Sequence, residues 1–107
     1  PTDSIFFKER KKMLYNGVIS INILITNKGD LFELPRIKFL AVLNQIDNSL
    51  LQKFSEFIEE LLRPYIPISM SKENQIKTFL IKKIKKYVEN NFYKNPSIIL
   101  DIIYIEE

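Results

Sequence analysis

The residues able to do chemistry in this chain are serines, lysines and carboxylates. Its 107 residues include no His and no Cys. That excludes thiol catalysis, histidine general bases, disulfide stapling and nearly all zinc sites. Ser20, Ser49, Ser55, Ser69, Ser71 and Ser97 have no base to activate them. Glu59 and Glu60 are neighbours on a helical segment and point apart. Glu56 and Glu60 share a face, but a solvated helix surface explains them better than acid–base catalysis. Asn27-Lys28-Gly29-Asp30 lacks the glycines of a phosphate loop. A metal would need an all-oxygen site, and the sequence has no Asp/Glu-rich loop of that kind. The fragment is expected to carry no catalytic residue, no cofactor and no metal ligand.

What remains is binding. The formal charge is +3, which is mild. It is unevenly placed: Lys72–Pro96 holds seven cations against Glu73 and Glu89, a local net of +5. The preceding segment, Asp47–Arg63, has four acids and two cations. On a helix, Lys82, Lys85 and Lys86 fall within about one quadrant facing away from the apolar stripe. This arc is the candidate RNA contact, with Phe92 and Tyr93 beyond it as residues able to stack on bases. The competing reading is a solvated face enriched in lysine by AT-rich coding, in a chain whose only alanine is Ala41. Arg10-Lys11-Lys12 forms a second basic cluster, at the end of a helix where cations suit the dipole.

The elements that must position these residues follow from periodicity. Ser4–Tyr15 reads as a short lead-in helix, stopped by Asn16-Gly17. Val18–Thr26 alternates Ile19, Ile21, Ile23 and Ile25 onto one face, which is a strand. After a turn at Asn27-Lys28-Gly29-Asp30, Leu31–Val42 is the second arm of a hairpin. Pro35 places that arm at a sheet edge or bulge, and Arg36 and Lys38 guard the edge. A helix capped by Asp47, Asn48 or Ser49 runs to Leu62, with a stripe of Leu50, Phe54, Phe57, Ile58, Leu61 and Leu62. Tyr65–Met70 reads as an extended linker. Ser71 caps a second helix, Lys72 to about Asn91, with a stripe of Ile76, Phe79, Leu80, Ile84, Tyr87 and Val88. Ser97–Ile105 is the last strand. The expected fold is α+β and two-layered: a three-stranded mixed sheet of order 2-1-3, two helices on one face, and the short N-terminal helix. Residues 1–107 form a single domain, with 1–16 as lead-in and 17–107 as the α/β body.

Two helices cannot cover both faces of such a sheet. The last strand is apolar on both sides, so Ile99, Ile103 and Ile105 form a candidate association surface, with the N-terminal helix Ser4–Tyr15 as the rival that could fold back and cover that face within one chain. No apolar run approaches the roughly 20 residues of a membrane span. The missing signal pattern and missing Cys point to a cytoplasmic protein. The chain starts Pro-Thr-Asp-Ser without an initiator Met, which reads as an excised piece of a longer chain.

Taken in order, the segments resemble the C-terminal domain of bacterial ribonuclease J. Lys8-Glu9-Arg10-Lys11-Lys12-Met13-Leu14-Tyr15-Asn16-Gly17 is similar to the family's "RxRxxLxxxG" approach to its first strand. Gly17–Ile21 through Asn27–Leu31 is similar to its strand, "xxGxL" turn and return. Pro35 sits where the return strand usually has a proline. A basic helix then runs into Asn95-Pro96-Ser97-Ile98-Ile99, like the family's basic or polar residue, proline and terminal strand. The resemblance spans residues 4–105. It departs at Asn95, where a basic residue is common, and at Phe39–Asn44, which has no clear counterpart.

The resemblance implies a parent with a metallo-β-lactamase fold and an inserted β-CASP domain. That parent would use zinc-activated water on RNA, with 5′-exonucleolytic and endonucleolytic activity in mRNA decay and rRNA maturation. Its zinc motif would lie outside this fragment. The fragment itself would be the non-catalytic domain, with the remainder of the parent nuclease, further copies in a homodimer or tetramer, and weakly held RNA as partners. The alternatives are a stand-alone RNA-binding module using Lys72–Lys94, or an unrelated dimerisation domain.

The pure fragment is expected to hydrolyse nothing. Incubation with 5′-monophosphorylated RNA and zinc or manganese checks this, and turnover that survives repurification would contradict it.

Overall fold

Residues 17–40, 48–92 and 95–106 are described by a computed structural model of the chain. Three strands form one sheet of order β2-β1-β3, with β1 Val18–Ile25, β2 Arg36–Leu40 and β3 Ser97–Tyr104. β1 is antiparallel to β2 and parallel to β3, so the sheet is mixed, in the expected 2-1-3 order. Two helices, α1 Asn48–Leu62 and α2 Glu73–Phe92, connect β2 to β3. The lead-in helix expected at Ser4–Tyr15 lies outside the described residues, as does Asp47, one of the three candidate caps for α1.

β1 is central because its alternation is the strongest in the chain. Ile19, Ile21, Ile23 and Ile25 are all fully buried. The ladder places Phe39 and Ile37 beside Ile19 and Ile21 on one side. On the other side stand Ile98, Leu100, Ile102 and Tyr104, one beside each isoleucine. This is the face that the helices cover. α1 contributes Phe54, Ile58 and Leu62; α2 contributes Ile76, Leu80, Ile84 and Val88, all fully buried. Each such side chain stabilises the fold by roughly 1.5–3 kcal/mol relative to exposure.

An aromatic cluster joins the two helices to β2. Phe54 meets Phe39, Phe57 and Tyr87 edge-on, at centroid distances of 5.4, 6.5 and 5.3 Å. Phe57 and Tyr87 stack at 4.3 Å. These two are half-buried because they close the outer edge of the core rather than fill its centre.

Three local readings need correction. The second hairpin arm is not continuous from Leu31. Leu31 makes one bridge to Ile25, and the ladder resumes only at Arg36. Pro35 has no N–H to give, and its carbonyl instead accepts from the buried Ser55 hydroxyl at 2.9 Å. The linker after α1 is not extended throughout. A 3₁₀ turn occupies Arg63–Tyr65, and Ile68 is buried in the core. Ser71 does not begin the second helix. Ser69 caps a 3₁₀ turn over Met70–Lys72, its hydroxyl accepting from the Ser71 N–H at 3.3 Å, and α2 starts at Glu73.

The linker and the β1–β2 turn are welded together at Gly29. The Ile68 N–H donates to the Gly29 carbonyl at 2.8 Å. Gly29 has φ +89°, and a Cβ there would lie 2.8 Å from the Ile68 nitrogen and 2.9 Å from its oxygen. Both the backbone angle and the space demand glycine.

Gly29→Ala is therefore expected to destabilise by about 1–3 kcal/mol. Ile84→Ala, which opens a cavity, should cost about 2–5 kcal/mol. Urea unfolding midpoints check both; an unchanged midpoint for Ile84→Ala would contradict the α2 stripe.

Candidate functional site

Two surfaces stand out once the fold is assembled: the outer side of the helix layer and the side of the sheet that neither described helix covers. The helix layer is electrostatically split. α1 presents Glu56, Glu59 and Glu60, which with Leu34 and Arg63 line a cleft of about 440 Å³. These acids are occupied locally. Glu59 pairs with Arg63 at 3.5 Å, and Glu56 accepts from Gln52 at 3.2 Å.

α2 presents the cations. Lys82 and Lys86 are exposed and lie on one face, one turn apart. Lys85, grouped with them from the sequence, is half-buried on the flank of the helix. Lys83 joins the exposed set instead. Its ammonium sits 5.8 Å from the centre of the Phe79 ring, within cation–π range. Phe79 in turn contacts Tyr65, at 5.4 Å between ring centres with the rings tilted 56°. Tyr65 belongs to the 3₁₀ turn after α1 and is exposed. An aromatic pair thus lies beside the lysine arc, supplied by the linker. Of the aromatics expected from the sequence to stack, Phe92 ends α2, while its side chain and the whole of Tyr93 fall outside what the structure describes. Periodicity places Phe79 in the apolar stripe of α2, where the structure leaves it half-buried, whereas no pattern in the linker marks Tyr65.

Lys77 is not part of this arc. It pairs with Glu73 at 3.4 Å, and Glu73 also accepts from the Tyr104 hydroxyl at 3.3 Å. Burial and the neighbouring Glu73 carboxylate push the Tyr104 phenol above its ordinary value. It therefore remains the donor throughout the neutral range and ties the end of β3 to the start of α2. The sign is that of a raised folded-state value: this contribution is complete below about pH 10 and is lost as the phenol ionises above it.

The uncovered sheet face carries three registered rows. Arg36, Asn22 and Asp101 form one; Lys38, Ser20 and Ile99 the next; Leu40, Val18 and Ser97 the third. Beyond the polar row, Leu24 lies beside Ile103, and the Phe32 N–H donates to the Leu24 carbonyl at 2.9 Å. Ile99 is 47% exposed, Ile103 42% and Leu40 50%. Ile99 and Ile103 are thus open to solvent, as the sequence suggested. Ile105 is not with them. It follows the end of β3, is half-buried, and donates its N–H to the Ile25 carbonyl at 2.8 Å.

Among the described residues, no group of three or more Asp, Glu, His or Cys is placed to hold a metal ion. No described helix is long and apolar enough to cross a membrane. The sequence model of the family described as Ribonuclease J C-terminal domain matches residues 5–105. None of the curated proteins matches the chain. With nearly its whole length matched, the chain belongs to the ribonuclease J C-terminal domain family, a non-catalytic part of a ribonuclease.

Because Lys82 and Lys86 are exposed, replacing both by Gln should change stability by less than about 0.5 kcal/mol. Thermal unfolding followed by circular dichroism checks this, and it licenses the use of these variants in binding experiments.

Proposed function

We propose that this ribonuclease J C-terminal domain supports subunit association, and thereby activity, through the uncovered face of its sheet. The parent chain would be a metallo-β-lactamase-fold ribonuclease with a β-CASP insertion. It would act in the cytoplasm as an RNA 5′-exonuclease and endonuclease, in mRNA decay and rRNA maturation. Its zinc would be held by residues of the parent, since this chain has no His or Cys to offer. The observation that carries the association reading is the exposure of Ile99, Ile103 and Leu40 on one sheet face whose other side is fully packed.

The charge pattern on that face favours a second copy as the occupant. Arg36 and Asp101 flank Asn22 at equal register on opposite sides of β1. A two-fold axis running along β1 sets Arg36 of one copy over Asp101 of the other, twice. The same axis sets Phe32 over Ile103 and the Lys38 stem over Ile99. A two-fold axis across the strands at this row would instead oppose arginine to arginine. Arg36 already receives Glu33 on its Nε, but its guanidinium has five N–H donors to share. Such a contact is isologous and closes as a dimer.

A second role is favoured by a separate observation. The exposed cations Lys82, Lys83 and Lys86 suit contact with the RNA substrate on the opposite side of the domain.

Sedimentation over a hundredfold concentration range tests the association. The wild type should shift from monomer to dimer, and Ile99→Lys with Ile103→Lys should remain monomeric. Arg36→Asp or Asp101→Arg alone should weaken the dimer at least several-fold, and the two together should restore it. A strict wild-type monomer, or single reversals without effect, would overturn the reading.

A further inference from the structure

The lysine arc alone is a phosphate-binding surface without a preference for any form of nucleic acid. The neighbouring aromatic pair changes that. Tyr65 is unusual in being an exposed aromatic whose flanks are anchored on both sides. Leu62, three residues before it, is fully buried. Ile68, three residues after it, is buried and bonded to Gly29. Pro64 restricts the turn, and the Ile66 N–H closes it onto the Arg63 carbonyl at 3.2 Å. The backbone is thus fixed while the ring stays accessible, backed by Phe79. An aromatic ring held in this way stacks on a base with little further loss of side-chain entropy.

The cations follow directly. Lys83 lies over the Phe79 ring, and Lys82 and Lys86 continue along the same side of α2. At roughly 100° per residue, Phe79, Lys82, Lys83 and Lys86 fall within an arc of about 100°. Lys77 and Lys85 lie outside it. The acids nearest Tyr65 in the chain, Glu59 and Glu60, belong to the α1 cleft, where Arg63 stands as counter-charge to Glu59.

We propose that Tyr65, backed by Phe79, is a stacking platform for one base of a single-stranded nucleic acid whose phosphates run along Lys82, Lys83 and Lys86. The strand would be RNA by the second reading above, on which this inference rests; the chemistry of the platform is shared with single-stranded DNA. A duplex hides its base faces and is not a ligand for it.

The test is fluorescence anisotropy of labelled ten-nucleotide oligo(U), oligo(A) and the matching DNA strands, with a duplex RNA as comparison, across a salt series. Tyr65→Ala should weaken single-strand binding about 5- to 150-fold, the range for loss of one stacked base. It should leave the salt slope unchanged, whereas Tyr65→Phe should bind like the wild type. Lys82→Gln with Lys86→Gln should lower the slope of log affinity against log salt by about 0.7 per lysine. Quenching of a 2-aminopurine base by the wild-type protein gives a readout that needs no variant. Duplex binding as tight as single-strand binding, or a Tyr65→Ala variant that binds like the wild type, would overturn the platform. Changes in the lysine slope without any effect at Tyr65 would do so too, while leaving the RNA reading itself intact. Running the binding series at protein concentrations where sedimentation gives a monomer separates this result from the fate of the association reading.

Discussion

The parallel ladder between β1 and β3 constrains the rest of the domain. Parallel neighbours cannot be joined by a tight turn, so the chain must cross back over the sheet before β3 can start. Here the crossing is made by α1, the linker and α2, and all of it lies over one face. Eight registered pairs, from Val18 with Ser97 to Ile25 with Tyr104, hold β3 in place. The four β1 isoleucines then lie on the face that the helices cover, beside β3 throughout and beside β2 at Ile19 and Ile21. Their complete burial follows from that location, and so does the exposure of the opposite side.

The two surfaces assigned functions are thus consequences of one topology. The helix layer has an inner side that is apolar apart from the buried, hydrogen-bonded Ser55, and an outer side free to carry charge. α1 and α2 divide that outer side between acids and cations. The sheet's other face has no element from the described chain above it. Its composition is mixed rather than polar, with Ile99, Ile103, Phe32 and Leu40 around the Arg36–Asn22–Asp101 row. Apolar residues with a central charged pair suit a partner that brings the same pattern inverted. Because the surfaces lie on opposite sides, the proposed association and the proposed nucleic-acid contact need not compete.

The linker does more than connect. Ile68 fills the core, its N–H holds Gly29, and the 3₁₀ turn before it sets Tyr65 against Phe79. A segment with two prolines and no periodicity thereby locks the β-turn to the helix layer. It also adds the aromatic component to a surface that otherwise holds only charge.

Periodicity alone marked the three strands, the two helices, the strand order and most of the core among the described residues, because period 2 in Val18–Thr26 and periods of three and four in the helices are direct records of which face is buried. The absence of His and Cys by itself excludes thiol and histidine chemistry and the usual zinc ligands from this stretch of sequence. The family was visible in the order of its anchors, Gly17, Gly29, Pro35 and Pro96. Only the tertiary structure decided which charges are available. Lys82 and Lys85 look alike on a helical projection, but one faces solvent and the other lies half-buried on the flank. The burial of Ile68, the exposure of Tyr65 and the loss of Ile105 from the association surface were likewise unreadable in the chain. They depend on where a non-periodic linker and the end of a strand come to rest against elements distant in sequence, and local pattern carries no record of that.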